Sequence, residues 1–169
     1  MIHEFEEIIF IKLWFNMNKD KIKNKFPQIA HRITDHLEKM STEGFSIAVL
    51  EEFLLIIIIT VTAAYYKFYL IWFGIVVAFT VHLLIHCIQT IVFRGYVVAA
   101  GTSTFGLPIC IWIIYRAWLN VNYPIENIIT VCAIVLILMS INLLFIHKMM
   151  EKFEDWKIEK LCTVKKIKQ

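Results

Sequence analysis

Long apolar blocks separated by short polar stretches dominate the pattern of this chain. Residues 45–64, 68–93, 97–118 and 125–147 each supply about 20 mostly apolar positions, the length that a membrane-spanning helix needs. Short segments rich in turn-forming or polar residues separate the blocks. The pattern therefore predicts an all-α fold, a polytopic membrane helical bundle with four transmembrane helices.

Two further helices are predicted before the first block. Residues 2–16 contain a short apolar run that Lys12 interrupts, which is too short to cross a membrane and predicts a re-entrant or interfacial helix. A helical period of apolar positions predicts a second, interfacial helix over residues 28–41. Its apolar positions are Ile29, Ile33, Leu37 and Met40.

Composition and charge support a membrane location. The chain is 59% apolar and 18% charged, against about 45–50% and about 25% in soluble domains, which excludes a disordered chain and an ordinary soluble enzyme. Of the 17 lysines and arginines, all but Lys67 and Arg116 fall on the side of both termini in a four-span bundle. The positive-inside rule then predicts a multi-pass protein of the cell membrane with both termini in the cytoplasm.

These features divide the chain into a membrane-embedded helical domain, residues 1–147, and a lysine-rich amphipathic cytoplasmic tail, residues 148–169. The tail is typical of segments that bind anionic lipid surfaces. We expect membrane lipid as a partner and no nucleic acid, and a homo-oligomer is compatible with the sequence.

Ionisable residues inside the predicted spans need an explanation, because each costs roughly 2.5–3.5 kcal/mol to insert. Glu51 and Glu52 lie about 9 Å into the first span, and His86 and His82 lie about 12 and 18 Å into the second. Consecutive spans are antiparallel neighbours, so the glutamates and the histidines lie at similar depths in adjacent helices. We therefore interpret them as candidate metal ligands.

The extreme N-terminus supplies further candidates. On a helix, Glu6 and Glu7 lie along the same side as His3. Together with Glu51, Glu52, His82 and His86, these three residues complete the predicted ligand set. Candidate supporting or substrate-binding residues at the cytoplasmic mouth are Gln89, Arg94 and Tyr96.

These motifs occur in a specific order along roughly residues 1–115. The motifs are His3-x-x-Glu6-Glu7, the glutamate pair after residue 50, and the histidine segment followed by Arg94-Gly95-Tyr96. Together they resemble the HXXEE-domain family of small bacterial integral membrane proteins. The family is defined by its motif, so the resemblance supports the site residues and implies no particular reaction.

Imidazole and carboxylate ligands suit zinc, iron or manganese, and this set is large enough for two ions. The sequence thus indicates an enzyme, a metal-dependent hydrolase or oxidoreductase acting on a lipid-like or membrane-soluble substrate, with Glu7 or Glu52 as the general base. The alternative is a non-enzymatic membrane module, either a proton or cation path or a partner subunit, that uses the same residues without metal catalysis.

Overall fold

The computed structural model describes the backbone of residues 1–120 and 122–167 and the side chains of residues 1–120 and 122–160. Of the described residues, none is in a β-strand, so the prediction of an all-α bundle is confirmed. The helices are α1 (Ile2–Lys25), α2 (Pro27–Lys39), α3 (Thr42–Tyr66), α4 (Tyr69–Phe93), α5 (Ala100–Trp118) and α6 (Ile125–Ile167).

Three of these helices are long and apolar enough to span a membrane: α3, α4, and α6 as far as Lys160. Their outer faces expose large apolar side chains, as Ile58 at 60% and Val61 at 63% show in α3, which is typical of surfaces that face lipid. Helix α5 does not reach the same apolar content, because small and hydroxyl-bearing residues fill its first turns. Of the four predicted spans, the structure therefore supports three by length and composition.

Helix α4 is the centre of the bundle, and its contacts give the direction of α5 and α6. Leu70 near the start of α4 packs with Ile128 near the start of α6 and Ile114 near the end of α5. Further along α4, Leu83 faces Gly106 in the first half of α5, where an added Cβ would lie 3.1 Å from the leucine Cδ1 atom. Helix α5 thus runs back along α4, and α6 runs parallel to α4.

Helices α4 and α6 approach closely at a glycine. A Cβ atom added to Gly74 would lie 3.0 Å from the Cγ2 atom of Val135, closer than ordinary van der Waals contact. Ile75, Ala78 and Val135 form the buried cluster beside this contact. Small residues at such crossings let two helix backbones approach, which strengthens packing where lipid is the solvent.

Helices α1 and α2 form a layer at the end of the bundle where α4 finishes. Phe15 of α1 is 2% exposed and packs with Ile22 and Phe93. This packing explains why the N-terminal helix, predicted over residues 2–16, continues to Lys25. The ammonium group of Lys12 donates hydrogen bonds to carbonyl oxygens at the end of α2, the shortest at 2.6 Å to Met40.

The lysine-rich segment after residue 147 continues α6 without a break up to Ile167. Its first half lies beside the start of α3, where Phe153 and Glu154 lie next to Gly44 and Ser41 donates a hydrogen bond to Glu154. The remaining apolar positions of the predicted amphipathic tail, Leu161, Val164 and Ile167, have side chains outside the described residues.

Candidate metal centre

The first turns of α1 bring a histidine and a glutamate against two histidines of α4. One ligand atom from each of His3, Glu7, His82 and His86 lies within 4.8 Å of all the others. His3 is 5% exposed and His86 is 9% exposed, so the group is buried inside the chain. The i, i+4 spacing within each helix places both members of a pair on one face, which is why two helices are enough to form the group.

The distances between these ligand atoms fit a single coordinated ion. The Nε2 atom of His82 lies 3.1 Å from Nε2 of His3 and 3.2 Å from Nε2 of His86. The Oε1 atom of Glu7 lies 3.1 Å from Nε2 of His86. Zinc–nitrogen bonds of about 2.0–2.1 Å at tetrahedral angles separate two ligand nitrogens by about 3.3 Å. Three of the six separations therefore match a tetrahedral site, and the other three lie within 4.8 Å.

The tautomer of His3 follows from its neighbours on α5. When the hydroxyl of Thr102 donates to the carbonyl oxygen of Ala99 at 3.3 Å, it is an acceptor for Nδ1 of His3 at 3.0 Å. The buried hydroxyl of Ser103 lies 3.4 Å from the same nitrogen. Nδ1 of His3 then carries the proton, and Nε2 offers its lone pair to the cluster, the arrangement that metal-binding histidines usually have.

Hydrogen bonding alone does not satisfy the three imidazoles. If Nε2 of His82 donates to His3, it cannot also accept from His86, and His86 needs its own Nε2 proton to donate to Glu7. Two N–H groups would then face each other at 3.2 Å. An ion between the rings removes the conflict, because every Nε2 atom can then present a lone pair.

The ligands contributed by α1 are in the protonation states that metal binding requires. Burial lowers the pKa of His3 to about 4, although the charge of Glu7 acts in the opposite direction. For Glu7, burial acts to raise the pKa, but the hydrogen bond from His86 and the charges of the three histidines outweigh it and hold the pKa below its usual value. His3 is thus neutral and Glu7 is ionised near neutral pH.

Glu6, a predicted ligand, lies outside the group and caps α5. Its Oε2 atom accepts a hydrogen bond of 2.9 Å from the backbone N–H of Thr102, and its Oε1 atom accepts one from the hydroxyl of Tyr96. Helix α5 has no side-chain cap of its own, because Ala99, which precedes it, has no polar side chain. A carboxylate at a helix N-terminus meets free N–H groups and a favourable dipole, so Glu6 holds α1 against α5.

The second predicted glutamate pair also lies outside the four-residue group. Glu51 accepts a hydrogen bond of 3.3 Å from the side-chain amide of Asn142 in α6. Glu52 interacts electrostatically with Glu4 and Glu7. Burial, followed by the charges of Glu7 and Glu52, raises the pKa of Glu4 to about 7. Glu4 and Glu52 therefore interact electrostatically with the cluster without belonging to it.

A cavity of about 400 Å³ lies beside the cluster and is lined by Glu7 and His86 at one part of its wall. Gln89, predicted as a supporting residue, also lines it, whereas Arg94 is exposed at the end of α4 and Tyr96 contacts Glu6 instead. The rest of the lining is almost entirely apolar: Ile11, Trp14, Ile22, Phe26, Ile33, Ile88, Val92, Phe93, Val97 and Val98. The site therefore opens to a space suited to an apolar molecule.

Sequence reasoning missed the residues that orient His3. Thr102 and Ser103 belong to the segment 101–106, which lies within the third predicted span and contains none of the predicted site residues. The useful signal is the position of these hydroxyls directly after the loop that follows the histidine helix. A Cβ atom added to Gly101 would lie 3.4 Å from Oε1 of Glu6, so this glycine accommodates the close approach of α1.

A second imidazole pair lies between α2 and α6. The rings of His36 and His147 are 5.0 Å apart, and Nδ1 of His36 lies 3.3 Å from Oε1 of Glu151. This pairing was not predicted from the sequence.

The fold and site define a helical protein of membrane character that carries a buried histidine and glutamate cluster able to hold a metal ion. The chain belongs to the family described as proteins of unknown function with an HXXEE motif, which matches residues 1–113. No curated protein and no solved structure matches the chain. The matched region contains all four residues of the cluster. Within the motif, His3 and Glu7 enter the cluster, and Glu6 caps α5.

Proposed function

We propose that this protein is an integral membrane metalloenzyme that binds a divalent ion through His3, Glu7, His82 and His86. The observation that carries the proposal is the convergence of three imidazole nitrogens and one carboxylate within 4.8 Å in a buried site. Three nitrogen ligands and one oxygen ligand favour zinc, with iron and manganese as the other candidates. A second ion would require Glu4 and Glu52 to turn toward the cluster.

The cavity supports an enzymatic role over a purely structural one. Glu7 and His86 form part of its wall, so a molecule in the cavity reaches the ligands directly. A bound divalent ion supplies Lewis acidity and an activated water or oxygen ligand. Glu7 then has two possible tasks, as the fourth ligand or as the base that takes a proton at Oε1, and Glu52 is the neighbouring carboxylate available for the other task.

The topology that we propose has four crossings with both termini in the cytoplasm. Helix α5 runs from the level of the cluster back to the level of Leu70, the same depth that α4 covers. Its 19 residues extend about 28 Å at 1.5 Å per residue, close to the thickness of the hydrocarbon core. The basic residues of α1, α2 and the end of α6 then lie on the cytoplasmic side, and so does the metal centre.

Metal analysis of the purified protein tests the proposal. Protein isolated in detergent without added metal is expected to contain about one zinc, iron or manganese ion per chain, and His86→Ala is expected to lose it. His31→Ala is the matched control, since His31 is exposed and its side chain pairs with Asp35 on its own helix. Full metal content in a His82→Ala/His86→Ala double variant would refute the metal centre.

A second candidate function, a proton or cation path, is favoured by the polar groups that continue away from the cluster. Electrostatic interactions link Glu7 to Glu52 and to His147, and His147 contacts His36. The chain reconstituted in liposomes distinguishes the candidates. Proton or cation flux that Glu52→Gln abolishes would support the path. If protein with a full complement of metal shows no flux, the enzyme is supported instead.

A further inference from the structure

Three cationic side chains lie around Phe93 and form a cationic rim beside the cavity; they are not among the residues that line it, and Lys21 lines a neighbouring cavity of about 290 Å³. Nζ of Lys21 lies 4.2 Å from the centre of the Phe93 ring, and Nζ of Lys25 lies 5.8 Å from the same ring. Lys21 also lies 3.5 Å from the carbonyl oxygen of Arg94, whose charge acts on Lys25. Phe93 is part of the cavity wall, so the cations surround a residue that the contents of the cavity would touch.

These cations are not neutralised by acidic side chains. Within the described part of the chain, the ion pairs of lysines involve Lys19 and Lys157 but neither Lys21 nor Lys25, and Arg94 forms none. Positive charge concentrated beside an apolar surface attracts an anion that is attached to an apolar chain. The rim is therefore complementary in charge to the polar end of an anionic amphiphile.

The cavity limits the apolar part of such a molecule. Its volume of about 400 Å³ lies in the lower part of the range of about 300–1,000 Å³ that small-molecule sites cover. This space suits one hydrocarbon chain better than the two chains of a membrane phospholipid. The wall extends from Phe93 at the cationic rim to Glu7 and His86 at the metal centre, so a chain held at the rim would lead to the cluster.

We propose that the ligand of this cavity is a long-chain fatty acid, with its carboxylate at Lys21, Lys25 and Arg94 and its chain directed toward Glu7 and His86. This inference rests on the proposed function, since it names the substrate class of the metal centre. It also implies that the centre faces the hydrocarbon chain and not the carboxylate.

Trp14 provides a direct fluorescent probe of the cavity contents, because it lines the cavity. Its indole N–H donates a hydrogen bond of 2.6 Å to the carbonyl oxygen of Tyr96, which fixes the position of the ring. Dibromostearic acid, whose bromines quench tryptophan on contact, is titrated into the full chain in neutral detergent. We expect saturable quenching that Trp14→Phe removes. Dibromostearyl alcohol, with the same chain and a neutral head, is expected to bind about tenfold more weakly.

A charge variant and its matched control locate the head group. Lys21→Gln/Lys25→Gln/Arg94→Gln is expected to weaken binding of the acid about tenfold and to leave binding of the alcohol unchanged. The control removes the same charge from exposed positions that, unlike Lys21 and Lys25, are not placed over the Phe93 ring, and it is expected to bind the acid like the unmodified chain. It consists of Lys23→Gln, Arg32→Gln and Lys39→Gln.

Added salt gives a second test that needs no variant, because screening is expected to weaken binding of the acid and not of the alcohol. Equal binding of acid and alcohol, or equal effects of the two triple variants, would overturn the inference. Metal content is measured on the same preparations. If the protein contains zinc but binds the acid no more tightly than the alcohol, only the fatty-acid assignment is contradicted. If it binds the acid more tightly but contains no metal, only the metal centre is contradicted.

Discussion

The hydroxyl of Thr102 is predicted to control metal affinity although it is not itself a ligand. Thr102→Val keeps the shape of the side chain and removes the acceptor that lies 3.0 Å from Nδ1 of His3. Without that acceptor, the tautomer that presents Nε2 to the cluster is no longer favoured. Loss of such a partner typically lowers metal affinity by about 10–100-fold, which corresponds to about 1.4–2.7 kcal/mol.

The structure places the single variant near the lower end of this range. The hydroxyl of Ser103 lies 3.4 Å from the same nitrogen and is fully buried, so it can accept the hydrogen bond from Nδ1–H when the Thr102 hydroxyl is absent. We therefore expect about a tenfold loss of zinc affinity for Thr102→Val and about a hundredfold loss for Thr102→Val/Ser103→Ala.

Competition with a chromogenic chelator measures these affinities in detergent solution. Thr104→Val is the control, because Thr104 is exposed on the same helix and its hydroxyl donates to the carbonyl oxygen of Ala100. The reasoning would be refuted if the double variant bound zinc like the control, or if Thr104→Val weakened binding as strongly as Thr102→Val.

Three further predictions concern the packing around the centre. Glu6→Gln is expected to destabilise the fold by about 1–2 kcal/mol because it weakens the cap of α5. It should keep the bound metal, which Glu7→Gln is expected to lose, so thermal unfolding and metal analysis distinguish the two variants. Gly74→Ala is expected to lower the free energy of unfolding by about 1–3 kcal/mol because its Cβ would lie 3.0 Å from Val135. Unfolding in mixed micelles should show that adding Val135→Ala restores stability, and a double variant without restored stability would contradict the close contact. Lys12→Met removes the hydrogen bonds to carbonyl oxygens at the end of α2 and is expected to lower stability by about 1.5–3 kcal/mol. Proteolysis between α1 and α2 should then be faster, and an unchanged cleavage rate would argue against a stabilising role of Lys12.

Several features of the fold could be predicted because they depend on local composition. The apolar blocks predicted helices that became α3, α4 and α6, since about 20 apolar residues in a row satisfy both helix formation and burial in lipid. The histidine pair could be assigned to one helix face from its spacing alone, and α4 shows both rings in the cluster.

The different roles of Glu6 and Glu7 within the N-terminal motif could not be predicted. His3, Glu6 and Glu7 lie along one side of α1, and spacing treats the two glutamates almost alike. Which carboxylate meets the histidines and which meets the start of α5 depends on how α1 is rotated against both helices, a property of packing and not of the motif.

By itself, the sequence determined that the chain forms apolar helices and that histidine and glutamate are buried among them, because hydropathy and helical period are properties of neighbouring residues. Only the tertiary structure decided that His3 and Glu7 meet His82 and His86, while Glu51 turns to Asn142. The physical reason is that a metal site needs ligand atoms a few ångströms apart, and that distance is set by the packing of helices that are remote in the chain.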